Sequence, residues 1–255
     1  MSPSISRRAL LAALGAGALA RRADAFGESG AFCARQLATG KPQASLRPRL
    51  NGLSRWAFEL VQRTSAPGRL LPTVVSADRP ALFAEPFAVW AGGDSDVGAL
   101  SATEARGLER YLRLGGVLVV DDSAPENGVF GRSVRRELER VLPATPPVRL
   151  DAGHVIFRSF YLLERPMGRL LGPPHIEAIV RGRNAQVLFL AHDLLGALAR
   201  SDDGWAFEVT PGGPEQRERA LRLAVNIAMY VLCSDYKDDQ VHAQWLMRRR
   251  GQVRP

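Results

Sequence analysis

Acidic and imidazole side chains directly follow two apolar runs of this sequence. They are Asp121 and Asp122 after residues 117–120, and His192 and Asp193 after residues 187–191. If both runs form parallel strands, Asp121 and Asp193 reach the same edge of a sheet, where open α/β proteins bind ligands. Carboxylate oxygens and imidazole nitrogens bind hard or borderline cations. The pattern therefore predicts a divalent-metal site suited to metal-assisted hydrolysis.

The same residues also have a structural interpretation. Because side chains alternate along a strand, we expect one of Asp121 and Asp122 to face a crevice. The two acids could instead cap the following loop or pair with nearby arginines, namely Arg132, Arg135 and Arg136. His154 precedes another short apolar run, and it is either a further ligand or a half-buried histidine with structural hydrogen bonds.

Two other residues adjoin this prediction. Trp205 lies in a loop after Asp202 and Asp203, where it lines a pocket or packs against the domain. Asn226 interrupts the apolar face of a predicted helix. For Asn226 we favour a buried hydrogen bond to loop backbone.

The strong catalytic and cofactor motifs are absent from the sequence. A cysteine nucleophile needs an exposed strand-to-helix turn with a histidine nearby, and neither Cys33 nor Cys233 follows a central predicted strand. There is no Gly-x-Ser-x-Gly elbow, no glycine-rich nucleotide loop and no zinc motif with paired cysteines or His-Glu-x-x-His. The sequence thus predicts no recognised cofactor, and a divalent metal remains the alternative.

The N-terminus resembles a twin-arginine export signal. Arg7 and Arg8 precede a weakly apolar run, and residues 23–25 have the small-x-small form of a cleavage site. The alternative is an uncleaved membrane anchor, but a span needs about twenty apolar residues and arginines interrupt this run. We expect residues 1–25 to be a signal peptide and the mature protein to be periplasmic.

The charge of the mature chain argues against nucleic acid as a partner. Removal of residues 1–25 takes away four arginines and one aspartate, which changes the net charge from +8 to +5. The remaining cations are scattered among acids, whereas a nucleic-acid binder clusters them. An oxidising compartment would permit a disulfide between Cys33 and Cys233, and the sequence leaves that question open.

Local patterns predict an α/β fold that contains a βαβ unit. Residues 87–91 form a short apolar strand, and residues 117–120 form a β-branched one. Between them, Ser101 and Glu104 have the spacing of a capping box, and Gly115 follows the predicted helix. A strand, a helix and a strand at this spacing make a parallel pair with a right-handed crossover.

Other segments extend this unit into a single domain over residues 26–255. We predict helices at residues 51–64, 132–142 and 215–232, and strands at residues 70–75, 176–180 and 186–191. Pro72 should keep the first of these strands short or at an edge. The last two strands are predicted to form a hairpin at one edge of a mostly parallel sheet.

A polar block lies near the C-terminus. Asp238 or Asp239 is placed to cap a short helix, which gives a C-terminal docking segment over residues 235–251. Docking of that helix explains its apolar residues. It does not explain the polar ones, which are Tyr236, Lys237, Asp239, Gln240 and His242. We therefore predict that the block contacts an envelope protein.

Several motifs in order resemble one known family. They are residues 111–122, 130–138, 154–161, 226–232 and 236–242. Together they are similar to the family catalogued as domain of unknown function 4159. The resemblance implies a three-layer, doubly wound, flavodoxin-like sheet similar to class I glutamine amidotransferases, in bacterial envelope proteins without an established activity. Many relatives have a Gly-His-Gly-like turn after the first strand of the βαβ unit, whereas this chain has Gly92-Gly93-Asp94.

Two functional hypotheses follow from these observations. The first is an exported, non-catalytic binding or scaffold module, because the nucleophile is missing and the C-terminal block is polar. The second is a metal-assisted hydrolase that uses Asp121, Asp122, His192 and Asp193.

Replacing Arg7 and Arg8 by lysine should trap the precursor in the cytoplasm, since the export machinery reads the arginine pair. Cell fractionation with an antibody to the mature domain measures this. A matched control replaces Arg21 and Arg22, beyond the apolar run, by lysine. Normal periplasmic accumulation of the Arg7→Lys, Arg8→Lys protein would contradict the twin-arginine route.

Overall fold

The central element of the protein is a mostly parallel β-sheet. The structure, a computed structural model, describes residues 31–39 and 48–251, with side chains described as far as residue 234. Within those residues the sheet has seven strands in the order β2-β1-β3-β4-β7-β6-β5. They are β1 (Phe32–Ala38), β2 (Gly68–Ser76), β3 (Phe87–Gly92), β4 (Val117–Asp122), β5 (Val148–Leu150), β6 (Ile176–Arg181) and β7 (Asn184–Leu190).

The winding of the sheet is that of a doubly wound α/β protein. Strands β2, β1, β3, β4 and β7 are mutually parallel, and β6 is antiparallel to both β7 and β5. The chain moves outward from β1 to β2 and then resumes on the other side of β1 with β3. The order of the five parallel strands is therefore consistent with a flavodoxin-like sheet whose winding reverses between β1 and β3.

Helices cover both faces of the sheet. They are α1 (Asn51–Arg63), α2 (Ala102–Arg113), α3 (Val129–Val141), α4 (Leu194–Leu198) and α5 (Gly213–Gly251). One apolar core joins α1, α4 and α5 to alternate residues of the sheet, such as Val117 and Val119. A second core joins α2 and α3 to the intervening residues, such as Leu118 and Val120. The three layers follow from strands that are apolar on both faces.

The βαβ unit forms as its sequence predicts. The Ser101 hydroxyl accepts a hydrogen bond from the Glu104 N–H at 3.2 Å, and the Ser101 N–H donates to the Glu104 carboxylate at 2.8 Å, so the capping box is complete. The hairpin β6–β7 is also confirmed, but β5 occupies the edge beyond it. Strand β2 lies at the opposite edge, as Pro72 suggested, and its nine residues make it longer than expected.

The structure differs from the element predictions at β1 and α5, and it adds β5 and α4, which were not predicted. Strand β1 was missed, since its segment contains Arg35 and Gln36 and has no β-branched residue. The Arg35 guanidinium is nonetheless buried, because it donates to four backbone carbonyls, those of Phe87, Ala81, Leu82 and Glu85. Helix α5 does not end near Leu232 but continues to Gly251, so the separate short helix that starts at Asp238 or Asp239 is wrong.

The described residues show the state of both cysteines and the membrane-spanning potential of the helices. Cys33 is buried in β1, Cys233 is exposed on α5, and both thiols are free. None of the helices in the described part has the length and apolarity that a membrane span requires. The predicted signal peptide over residues 1–25 lies outside the described residues.

Candidate functional site

The strand-end acids do meet at one edge of the sheet. Strands β4 and β7 are parallel neighbours, with Asp121 opposite Leu190. The two strand ends are also joined directly, since the Asp193 N–H donates to the Asp122 carbonyl oxygen at 3.2 Å. The expected proximity of Asp121 and Asp193 follows from this pairing.

Both carboxylate oxygens of Asp121 are engaged by the backbone that follows β7. Oδ1 accepts from the Leu194 N–H and Oδ2 from the Leu195 N–H, each at 2.8 Å. Burial and the charge of Asp193 raise the pKa of Asp121 to about 7, against the opposing effect of those two hydrogen bonds. Asp121 therefore fixes the first turn of α4 to the end of β4.

Asp193 is completely buried and carries the densest set of contacts at this edge. It has a left-handed backbone, with φ of 52°, and its Oδ1 accepts from the Gly196 N–H at 3.0 Å. Arg49 donates to both oxygens, at 2.8 and 2.9 Å, and Arg169 donates through Nε to Oδ2. The two guanidinium groups supply the opposite charge that a buried carboxylate requires.

Asp122 points to the other face of the sheet, as strand alternation requires. Its Oδ1 accepts from the Ala124 N–H at 3.0 Å, and the Gly131 N–H also hydrogen-bonds to this carboxylate. Burial raises the pKa of Asp122. The expected loop cap is thus found, whereas the alternative of arginine partners is wrong, because Arg132 donates to the Asn127 carbonyl, Arg135 to Glu177, and Arg136 to Asp96 and Glu137.

His192 lies at the same edge in a closed environment. Its Nε2 is 2.9 Å from the Pro173 carbonyl oxygen, and burial lowers the pKa of the ring to about 4. A neutral ring that donates from Nε2 keeps its lone pair on Nδ1. Among the described residues, that buried Nδ1 has no hydrogen-bond partner.

His154 is not part of this group. It precedes the short 3-10 helix Val155–Arg158, and its Nδ1 accepts from the Ile156 N–H at 3.3 Å. Its ring lies 6.1 Å from that of Tyr230, whose hydroxyl accepts from the Ala185 N–H near the start of β7. The length of β7 therefore separates His154 from Asp193, and the structural interpretation of this histidine accounts for its contacts.

Trp205 and Asn226 have different roles. Asn226 is fully buried, and its amide bonds to loop backbone at Phe160, Tyr161 and Ile156, as expected. Trp205 is 37% exposed and contacts arginines on the α1 and α5 side of the sheet. It does not extend the site at the strand ends.

The candidate ligand set is thus only partly assembled. Asp121, His192 and Asp193 share one edge, but each carboxylate oxygen of the two acids already accepts a hydrogen bond. Across the described residues, no group of three or more His, Cys, Asp or Glu side chains is arranged to hold a metal ion. The side chains of Tyr236, Lys237, Asp239, Gln240 and His242 lie outside the described residues, and their backbone belongs to α5.

Sequence reasoning missed the two arginines that complete this edge. Arg49 lies just before α1, and Arg169 lies in the long loop between β5 and β6. A buried acid signals that a cation is needed, but 34 lysines and arginines offer too many candidates to choose from. No local pattern distinguishes these two.

Asp193→Asn should lower the free energy of unfolding by about 3 kcal/mol, because it leaves two partly buried guanidinium groups without their charge partner. Denaturant unfolding at pH 7 measures this loss. The control is Glu109→Gln, which breaks an exposed ion pair with Arg113 and should cost less than about 0.5 kcal/mol. Equal losses in the two variants would show that the buried ion pairs of Asp193 stabilise the protein no more than an exposed ion pair does.

Comparison with known proteins identifies the family of this chain. A search of curated proteins finds no match to this chain. A family model does match, over residues 36–232, and its description is Domain of unknown function (DUF4159). The match runs from the last residues of β1 to the buried part of α5. The protein therefore belongs to the DUF4159 family.

Proposed function

We propose that this protein is an exported, non-catalytic binding or scaffold module of the bacterial cell envelope, built on a fold of the class I glutamine amidotransferase type. The strand order β2-β1-β3-β4-β7 supports that affiliation. The observation that carries the non-catalytic assignment is the state of the strand-end carboxylates. The carboxylate oxygens of Asp121 and Asp193 already accept hydrogen bonds from backbone amides and arginines.

The absence of an amidotransferase nucleophile supports the same proposal. Strand β4 continues into Asp121-Asp122-Ser123, where an amidotransferase would need an exposed cysteine. Cys33 is buried near the start of β1, and Cys233 lies on α5. Neither thiol stands at the carboxyl end of a strand, so glutamine hydrolysis has no nucleophile in the expected place.

The second candidate function is a metal-assisted hydrolase. It is favoured by one observation, the convergence of Asp121 and Asp193 on neighbouring parallel strands. To bind a cation, these acids would have to give up hydrogen bonds to Leu194, Leu195, Arg49 and Arg169. That exchange costs free energy, because it leaves buried donors unsatisfied.

Divalent metals should leave the melting temperature of the metal-stripped mature protein unchanged. A ligand that binds the folded state alone would raise it by mass action. Magnesium, calcium, manganese and zinc are each titrated in a thermal unfolding assay, with Asp193→Asn as the matched variant. A rise that appears in the native sequence and disappears in the variant would favour the hydrolase.

The partner of the proposed module is an envelope protein that contacts the C-terminal block. Helix α5 supports this, since it continues without a break from its buried part, which ends at Val231, through residues 236–242. Because the backbone of residues 236–242 is already helical, contact with a partner would cost little additional backbone entropy. Export places this surface in the periplasm.

Replacing Lys237, Gln240 and His242 together by alanine should abolish recovery of the envelope partner and leave the melting temperature nearly unchanged. Affinity isolation after crosslinking in intact cells measures the first, and thermal unfolding measures the second. The matched control replaces three exposed turn residues, Arg183, Asp202 and Asp203, by alanine. Equal recovery of the crosslinked partner with both variants would contradict the assignment.

A further inference from the structure

An unusual concentration of positive charge surrounds Trp205. This residue pairs with Arg200 in a small hairpin made of β8 (Arg200–Ser201) and β9 (Gly204–Trp205). The guanidinium carbons of Arg217, Arg200 and Arg55 lie 4.4, 4.8 and 5.3 Å from the centre of its ring. Each contact is a favourable cation–π geometry, but the three cations repel one another.

Two of these cations lack an acidic partner. The third cation, Arg55, does have such a partner, since it pairs with Glu59 one helical turn away. Arg217 is buried, and it donates to the carbonyl oxygens of Ala197 and Phe207. Among the described residues, no carboxylate forms an ion pair with Arg200 or Arg217. Burial and the charge of Arg200 lower the pKa of Arg217, as expected for a cation without a counter-ion.

An open cavity lies beside Trp205 and Arg217, which both line it. Its volume is about 530 Å³, within the range of small-molecule sites. Its apolar walls are formed by Trp205, Phe207, Val209, Pro214 and Leu221, and Arg217 contributes the cationic group. The cavity thus combines a mainly apolar interior with an arginine, Arg217, that forms no ion pair within the described part of the chain.

Two acids in the lining bear on the charge of the cavity. Glu218 is neutralised by Arg63 and Arg222, with which it forms ion pairs at 2.7 and 2.8 Å. Glu208 is exposed and opposes the binding of an anion. Arg217 and Glu208 therefore bring opposite charges to the lining, and Arg200 adds a cation next to it through its contact with the Trp205 ring.

We propose that this cavity binds a small molecule in which an oxyanion, either a carboxylate or a phosphate, is joined to an apolar or aromatic body. The oxyanion lies beside Arg217, and Arg200 on the Trp205 ring adds a second positive charge nearby. The apolar body lies against Trp205, Phe207 and Leu221, and its burial adds the hydrophobic part of the affinity. This site is separate from the C-terminal block, so either proposal can fail alone.

Three probes of similar size test the ligand class: phenyl phosphate, phenylacetate and the neutral 2-phenylethanol. The mature protein is titrated with each at low salt, the affinity is measured by calorimetry, and the Trp205 indole N–H signal is followed by NMR. That signal is assigned with Trp205→Phe. We expect saturable binding and a Trp205 shift with at least one anion, and no saturation with the alcohol. The stronger of the two anions identifies the carboxylate or the phosphate as the preferred head group.

Two substitutions with opposite expected effects test the placement. Arg200→Gln should weaken anion binding by about twofold to fivefold, and Glu208→Gln should strengthen it by a similar factor, as for one partly exposed charge contact. Arg200 and Glu208 are exposed, so these variants spare the buried hydrogen bonds of Arg217. The control Arg183→Gln removes an exposed charge from the β6–β7 turn and should change nothing.

The proposal is overturned by any of four results. The first is no saturable binding of either anion up to about 10 mM, where the binding free energy would be weaker than about −3 kcal/mol. The second is equal binding of the alcohol. The third is an affinity that Arg200→Gln and Glu208→Gln leave unchanged. The fourth is a titration that leaves the Trp205 signal in place.

Discussion

The buried carboxylate of Asp193 connects parts of the chain that are distant in sequence. Arg49 precedes α1 and Arg169 lies in the loop before β6, yet both donate to this one side chain, whose backbone N–H also bonds to the end of β4. A buried charge is costly unless it is paired, and removal of one partner leaves the other uncompensated. The position of α1, the course of the long loop and the start of α4 therefore all depend on this carboxylate.

This pairing explains why the carboxyl ends of β4 and β7, where doubly wound folds bind ligands, have a structural role in this protein. Asp121 and Asp122 each accept backbone N–H groups, and His192 is sealed against the Pro173 carbonyl. The surroundings of Trp205 differ from these strand ends. At the strand ends, acids and arginines satisfy one another, whereas Arg200 and Arg217 have no acidic partner among the described residues. The proposed oxyanion site rests on these cations and on the apolar cavity that Arg217 and Trp205 line.

The fold itself was largely readable from local patterns. The capping box of α2, the apolar runs of β3, β4 and β7, and the turn between β6 and β7 each carry their own signal, because they depend on neighbours in sequence. Strand β1 carried none, since Arg35 makes its segment look solvent-exposed. The burial of Arg35 depends on four carbonyl oxygens that lie 46 to 52 residues away in the sequence. Local reasoning also ended α5 too early, because polar residues after Leu232 do not themselves stop a helix.

The sequence by itself determined the α/β class, the acids at the ends of two strands, the missing catalytic motifs and the family resemblance. The tertiary structure alone decided how those acids are used. Asp121 and Asp193 converge as predicted, but their partners are the amides of Leu194 and Leu195 and the guanidinium groups of Arg49 and Arg169. Arg49 is 144 residues from Asp193, and ion pairs impose no spacing along the chain. Whether a carboxylate is free for chemistry depends on what reaches its oxygens in three dimensions.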